Sequence, residues 1–101
     1  MKYFSIPVLF SLLFVQAQPE LHQFSHDGLS REYYLYIPDS LVAGAPLLFV
    51  FHGYSGSASG IMNYSGLNQI ADDNGFAVCY PQGLIDDWDY AFWNVGYDWH
   101  V

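Results

Sequence analysis

Two short, uninterrupted apolar runs constrain the fold of this chain more than any other feature. Residues 47–51 lie between Pro46 and Gly53, and residues 76–80 end at Pro81. Runs of this length, without alternating polar residues, are typical of strands that are buried on both faces, as in a parallel sheet. Because a helical segment separates them, the order strand, helix, strand predicts a parallel pair joined by a right-handed crossover.

The connection between these two strands is predicted to hold a loop and one helix. Residues 53–60 are rich in glycine and serine, which is typical of a loop. A helix is expected to begin with a cap near Ser65 and to end at Asn74-Gly75, where glycine readily adopts the left-handed conformation. Its buried face is predicted to carry three apolar residues: Leu67, Ile70 and Ala71.

An antiparallel hairpin is predicted ahead of the parallel unit. Residues 21–26 and 29–37 have the composition of strands, and Asp27-Gly28 joins them. This dipeptide favours a two-residue hairpin turn, since both turn positions need a positive φ. The predicted fold class is therefore α/β, with an antiparallel hairpin followed by a parallel strand-helix-strand unit whose sheet is incomplete.

The first 17 residues are predicted to be a secretory signal peptide. Lys2 provides a positive start, residues 6–15 are mainly apolar, and Ala17 completes a Val-Gln-Ala sequence that suits a signal peptidase. The apolar run is too short to cross a bilayer, although a membrane anchor is the alternative interpretation. The protein is therefore expected to be secreted, extracellular or periplasmic, with no membrane attachment after cleavage.

The charge balance argues against several classes of partner. The 101 residues include two basic and ten acidic side chains, for a net charge of −8. Nucleic-acid phosphates and anionic membrane surfaces would repel such a chain, so no nucleic-acid partner is expected. A hydrophobic content of 52% is too high for a disordered acidic tail. The single cysteine, Cys79, is expected to be a buried, inert thiol, and no Cys/His pattern indicates zinc.

Aromatic residues are concentrated near the C-terminus. Six large rings lie close together there: Trp88, Tyr90, Phe92, Trp93, Tyr97 and Trp99. Such rings need a partner surface, and residues 18–101 have no disulfide to support a small core. We therefore expect residues 18–101 to be the N-terminal portion of a larger domain.

Five sequence elements occur in an order that is found in one enzyme group. They are Arg31-x-Tyr33-x-Leu35-x-Ile37-Pro38, His52-Gly53, Ile70-Ala71-Asp72-x-x-Gly75-Phe76, Tyr80-Pro81-Gln82-Gly83 and Trp93-Asn94-x-Gly96. Together they resemble the secreted polyhydroxybutyrate depolymerase/feruloyl esterase group of α/β-hydrolases. The resemblance implies a secreted serine esterase without a cofactor. Its substrate would be a polymeric ester, either polyhydroxyalkanoate or a feruloyl- or acetyl-polysaccharide.

The resemblance places one catalytic element within this chain. In α/β-hydrolases, the loop after this strand supplies a backbone N–H of the oxyanion hole. The resemblance implies that Tyr54 is this donor and that Gly53 permits the turn; a strand-end glycine without a catalytic contact is the alternative. Trp93 and Asn94 are expected at the rim of the substrate site, or alternatively in plain packing against the rest of the sheet. His52 is expected to be a structural histidine under the loop.

The serine, acid and histidine of a catalytic triad are not expected in this chain. The resemblance implies a serine within Gly-x-Ser-x-Gly, followed by the acid and then the histidine. The nearest match, at residues 53–57, ends in serine and lies in a loop, so Ser55 is not expected to be the nucleophile. His100 precedes any such motif and is not expected to be the base. Three aspartates lack the spacing of a calcium loop, so no metal site is expected at Asp86, Asp87 and Asp89, which are expected to lie in a solvated loop.

The chain is consequently expected to be truncated before the nucleophile and inactive alone. A second function class stays open, since many aromatic rings and an acidic charge also suit a non-catalytic secreted carbohydrate-binding or adhesion module. Such a module would need a complete fold, expected to be all-β, within residues 18–101. The apolar run at residues 47–51 and the helical segment after it argue against that fold.

Overall fold

A four-stranded mixed sheet organises the computed structural model, which describes residues 2–8 and 16–97. Its strands are β1 (Glu20–His26), β2 (Leu29–Tyr36), β3 (Leu47–Phe49) and β4 (Ala77–Pro81). Their order in the sheet is β1-β2-β4-β3. Two helices connect β3 to β4, namely α1 (Ala58–Ser65) and α2 (Leu67–Asn74). A two-stranded sheet follows, formed by β5 (Leu84–Ile85) and β6 (Ala91–Phe92).

The β1–β2 hairpin forms as the sequence predicts. Asp27 and Gly28 have φ angles of 50° and 75°, in the left-handed region that this type of turn requires. The two strands pair antiparallel up to His26 opposite Leu29, next to the turn. Because β2 also pairs antiparallel with β4, the hairpin extends the sheet on one side of the parallel unit.

The predicted parallel pair is present, but the side chains of β3 are more exposed than predicted. β3 and β4 pair in parallel from Leu47 opposite Ala77 to Phe49 opposite Cys79, which confirms the predicted crossover. The side chains of β3 keep between 40% and 54% of their surface exposed. The prediction of burial on both faces is therefore wrong for the described part of the chain, because β3 has a neighbouring strand there on one side only.

Two helices, rather than one, occupy the connection between β3 and β4. α1 begins after Ser57, whose Oγ accepts the N–H of Gly60 at 3.0 Å, within the stretch predicted as a loop. Gly66 ends α1 with a φ of 66° and directly precedes α2. The predicted helix start near Ser65 is confirmed for α2: the N-cap residue is Gly66, which has no side chain, and Ser65 Oγ accepts the N–H of Leu67 at 3.4 Å. Gly75 ends α2 with a φ of 75°, as predicted.

The core lies between the helices and the sheet. Its buried side chains are Tyr36, Ala58, Met62, Ala71, Val78 and Tyr80. The two tyrosines of this core also form hydrogen bonds with α2 through their hydroxyls. Tyr36 Oη donates to Asp72 Oδ1 at 2.7 Å, and Tyr80 Oη donates to Asn68 Oδ1 at 2.7 Å. Burial, together with the hydrogen bond to Asp72, raises the pKa of Tyr36 to about 12. Both buried tyrosines thus have a hydrogen-bond partner for their hydroxyl groups.

Burial agrees with the prediction at Cys79 and only in part along α2. Cys79 is buried, and this burial raises the pKa of its thiol, which disfavours the reactive thiolate. On the predicted apolar face of α2, Ala71 is fully buried, but Ile70 is 46% exposed. α2 therefore packs on the sheet through its smallest apolar residue.

The predicted signal peptide falls partly outside the described residues. Residues 9–15, the centre of the apolar run, lie outside them, as do Trp99 and His100, while residues 2–8 contain no helix or strand. Within residues 2–8 and 16–97, no helix is long and apolar enough to cross a membrane. The signal peptide and secretion stay predictions.

Candidate functional site

His52 is the buried centre of the candidate site. It lies three residues after β3 and is 3% exposed. Its Nε2 accepts the backbone N–H of Gly83 at 2.9 Å, so the ring proton is assigned to Nδ1, which lies 2.7 Å from the Gly53 carbonyl oxygen. Both ring nitrogens are therefore engaged with backbone groups. His52 links the turn after β3 to the turn after β4, as expected for a structural histidine.

Trp93 packs directly against His52. Its indole Nε1 donates to the carbonyl oxygen of His52 at 2.8 Å, and the two ring centroids lie 4.8 Å apart. The Trp93 ring also meets Phe51 edge-on, with centroids 5.0 Å apart. Asn94 is exposed, and its Oδ1 accepts the N–H of Gly96 at 3.1 Å. The structure thus places Trp93 in contact with the buried His52 and places Asn94 at the adjoining surface.

Residues 53–56 form a tight turn above His52. The N–H of Gly56 donates to the Gly53 carbonyl at 3.0 Å and closes the turn. The left-handed residue is Ser55, with a φ of 63°, whereas Gly53 does not have a positive φ. The N–H of Ser55 donates to the Ala91 carbonyl of β6 at 2.8 Å. This bond holds a backbone conformation that serine rarely adopts by itself.

Neither the backbone conformation nor the packing of the described chain explains the glycine at position 53. A Cβ added at Gly53 would have no heavy atom of the described chain within 4 Å, apart from its immediate neighbours. Internal packing therefore does not require glycine here, and neither does a positive φ. The expected role of Gly53 beside an oxyanion donor stays a prediction.

The β5–β6 hairpin lies against this turn, and Asp86 organises the contact. Its Oδ1 accepts the N–H groups of Trp88 and Tyr90, both at 2.9 Å, which closes the hairpin loop. Its Oδ2 accepts the hydroxyl of Tyr54 at 2.6 Å. The hydrogen bond to this carboxylate raises the pKa of Tyr54 to about 12. The rings of Tyr54 and Tyr90 lie 5.7 Å apart, so Tyr54 contacts the hairpin through both its ring and its hydroxyl.

Sequence reasoning missed the role of Asp86. It treated the aspartates of this stretch as members of a solvated loop, although an aspartate whose carboxylate accepts the next few backbone amides is a recognised turn former. That signal predicts the loop between β5 and β6. It does not predict the contact with Tyr54, because the two residues are 32 positions apart.

Gln82 and Gly83 form the turn after β4, and each makes specific contacts with neighbouring elements. Gln82 Oε1 accepts the N–H of Ala58 at 2.8 Å and so satisfies a donor at the start of α1. The Gln82 N–H donates to the Glu32 carbonyl of β2 at 3.0 Å. Gly83 lies so close to β6 that a Cβ there would be 2.4 Å from the Phe92 carbonyl oxygen. These contacts join α1, β2 and β6 around His52.

Comparison with known proteins supports the resemblance seen in the sequence. The chain matches no protein-family model. It is 29% identical over 90 residues to feruloyl esterase B of Thermothelomyces thermophilus, covering 87% of this chain and 31% of that protein. It is 35% identical over 77 residues to a polyhydroxybutyrate depolymerase of Talaromyces funiculosus, covering 69% of this chain and 23% of that protein. The resemblance to this esterase group is confirmed. The chain spans less than a third of the length of either relative.

Solved structures confirm the predicted fold class. S-formylglutathione hydrolase from Staphylococcus aureus matches with a TM-score of 0.55 and 18% identity, over 66% of this chain and 30% of that chain. A fluorophosphonate-binding serine hydrolase of the same organism matches to the same extent. The similarity shows the fold alone: the described residues form part of an α/β-hydrolase sheet.

The structure brings some of the predicted site residues together. Gly53 and Trp93 each form a hydrogen bond with His52, through its ring and its carbonyl respectively, and Tyr54 follows Gly53 in the same turn. Asn94 follows Trp93 at the surface. Within residues 2–8 and 16–97, no group of three or more His, Cys, Asp or Glu side chains is placed to hold a metal ion.

Proposed function

We propose that this chain is the N-terminal portion of a secreted serine esterase. In this proposal, residues 1–17 direct secretion, and residues 18–101 supply the oxyanion-hole loop. The serine, the acid and the histidine of the triad lie elsewhere in the full gene product. The observation that carries the proposal is the turn at residues 53–56, which follows β3 and is braced by His52 and the β5–β6 hairpin. In α/β-hydrolases an oxyanion donor occupies this place.

The proposed mechanism is acyl transfer through a serine ester. The serine hydroxyl attacks the ester carbonyl while the triad histidine takes its proton, and the same histidine then protonates the departing alcohol. Water hydrolyses the acyl-serine and releases the acid. The Tyr54 N–H donates to the oxygen that becomes negative, which is worth about 3 kcal/mol for a donor of this kind. Gly53 leaves room for the substrate carbonyl to approach, and Trp93 and Asn94 border the site.

The proposed substrate is a polymeric ester. Two curated relatives are named for polyhydroxybutyrate and for feruloyl esters, which supports this class. Three exposed aromatic side chains lie on the turn and the adjoining hairpin: Tyr54, Trp88 and Tyr90. Exposed rings of this kind provide an apolar surface for an uncharged polymer. The alternative of a binding module required an all-β fold, and the parallel β3–β4 pair with its two helices contradicts that requirement.

Ester hydrolysis and active-site labelling test this proposal. The full gene product is expected to hydrolyse p-nitrophenyl acetate and to be labelled by a fluorophosphonate probe, which reacts with activated serines. Residues 18–101 expressed alone are expected to do neither and to aggregate through the open edge of β3. A full product that contains a Gly-x-Ser-x-Gly motif, yet neither reacts nor labels, would contradict the esterase proposal. Activity of residues 18–101 alone would contradict the placement of the triad.

Replacing Ser55 with glycine separates the backbone of the turn from its hydroxyl. We expect this variant of the full gene product to keep both hydrolysis and fluorophosphonate labelling. Ser55 already has a φ of 63°, which glycine adopts without cost, and its N–H can still donate to Ala91. Labelling followed by mass spectrometry locates the modified serine. Loss of labelling in the variant, or a probe adduct on Ser55, would identify Ser55 as the nucleophile after all.

A further inference from the structure

We infer that Asp86 is a positioning residue for the oxyanion donor and that it acts through the side chain of Tyr54. This inference rests on the proposed function, in which the Tyr54 N–H binds the oxyanion. Asp86 touches neither the substrate nor the reacting atoms in this scheme. Its role is to fix the orientation of the turn that carries the amide.

The two oxygens of the Asp86 carboxylate have different tasks. Oδ1 accepts the amides of Trp88 and Tyr90, and the Asp86 N–H donates to the Tyr90 carbonyl at 2.8 Å. These three bonds hold the carboxylate in one orientation. Oδ2 therefore faces Tyr54 from a fixed position and accepts its hydroxyl at 2.6 Å. A short hydrogen bond to a charged acceptor is stronger than one between neutral groups.

The β5–β6 hairpin thus contacts the Tyr54–Ser55 segment at two points. Asp86 holds the side chain of Tyr54, and the Ala91 carbonyl holds the N–H of the next residue, Ser55, at 2.8 Å. Glycines at positions 53 and 56 flank this short stretch and give its backbone more freedom than other residues would. Without the bond to Asp86, the Tyr54 side chain loses a strong hydrogen bond to the hairpin, although its ring contact with Tyr90 and the backbone bonds of Ser55 and Gly56 are still present.

The expected consequence for catalysis follows from the geometry of oxyanion binding. A donor stabilises the transition state only when it points at the place where negative charge develops. A misplacement of about 1 Å can lower the rate by up to roughly a hundredfold. Because the bond to Asp86 acts on the orientation of the donor, its loss should lower kcat more than it raises KM.

Two substitutions in the full gene product remove this bond from either end. Tyr54→Phe removes the hydroxyl and keeps the ring. Asp86→Ser keeps a hydroxyl that can accept the turn amides but is too short to reach Tyr54. Each variant is expected to lower kcat for p-nitrophenyl acetate about tenfold with little change in KM, and the double variant to be no slower than the slower single variant. Tyr64→Phe, at an 88% exposed position on α1, is the matched control and should keep the wild-type rate.

The pattern of effects decides the outcome. Unchanged kcat in Tyr54→Phe, or rate losses that multiply in the double variant, would overturn the positioning role. A variant that melts earlier but turns over at the wild-type rate would assign Asp86 a structural role only, which also overturns it.

Amide hydrogen exchange at Ser55, whose N–H donates to the Ala91 carbonyl, supplies a readout that does not depend on activity. Faster exchange at this amide in both single variants supports the positioning role, and unchanged exchange overturns it. A wild-type product that neither hydrolyses esters nor labels would instead overturn the proposed function, while the exchange measurement would still test the contact between Asp86 and the turn.

Discussion

Replacing Gly83 with alanine is expected to lower the free energy of unfolding by about 3 kcal/mol or more. A Cβ at this position would lie 2.4 Å from the carbonyl oxygen of Phe92 and 3.2 Å from Cε1 of His52. The first neighbour is backbone and cannot rotate away, so either β6 or the turn after β4 must move. Such a movement would also strain the 2.9 Å bond from the Gly83 N–H to His52. Under the proposed function, ester hydrolysis by the full gene product is expected to fall with stability, because this contact supports the turn at residues 53–56.

Gly53→Ala is the matched control for this substitution. Its new Cβ would meet open space, and Gly53 does not have a positive φ. The free energy of unfolding is therefore expected to stay within about 0.5 kcal/mol of wild type. Urea unfolding of the full gene product with either substitution, followed by circular dichroism, compares the two variants directly. Equal stability of the two alanine variants would show that the approach of Gly83 to β6 is not as close as described.

Replacing His52 with alanine is expected to destabilise the protein by about 2–5 kcal/mol. Two losses contribute. The Gly83 N–H loses its acceptor in a buried setting, which costs about 1–3 kcal/mol. Removal of the imidazole also leaves a cavity beneath Trp93, whose ring centroid lies 4.8 Å away. Because the ring is 3% exposed, water cannot readily replace it.

His52→Gln separates the hydrogen bond from the packing. Glutamine carries an acceptor oxygen about as far from its Cβ as Nε2 is in histidine, so it can still accept the Gly83 N–H. We expect it to recover part of the stability that His52→Ala loses. The midpoint of urea unfolding, with tryptophan fluorescence as a local probe, measures the difference. If His52→Ala unfolds at the wild-type midpoint, His52 does not brace the two turns.

Several features of the fold could be predicted because their signals are local. The Asp27-Gly28 dipeptide predicts the hairpin turn, and both residues have the positive φ that such a turn needs. The apolar runs predict β3 and β4, and Gly75 predicts the end of α2. In each case the deciding chemistry lies within a few residues of the position it controls.

The wrong predictions have physical reasons that are equally specific. Gly60 and the serines around it lower the helix propensity of the stretch that becomes α1, but Ser57 caps this helix and Gln82 satisfies its first amide. An apolar run also cannot show that β3 pairs with a neighbour on one side only within the described residues. Its composition records what the side chains prefer, whereas the burial of β3 depends on which neighbours the sheet provides.

Local sequence signals are enough to predict the antiparallel hairpin, the parallel crossover and the resemblance to an esterase group, because turn chemistry, apolar runs and short motifs operate over neighbouring residues. The contacts that hold the turn at residues 53–56 depend instead on the tertiary fold. The bonds from His52 to Gly83, from Tyr54 to Asp86 and from Trp93 to His52 join residues 31, 32 and 41 positions apart. No periodicity links residues at such separations. They meet because the helical crossover places the turns after β3 and β4 at the same edge of the sheet, and the β5–β6 hairpin then packs against both.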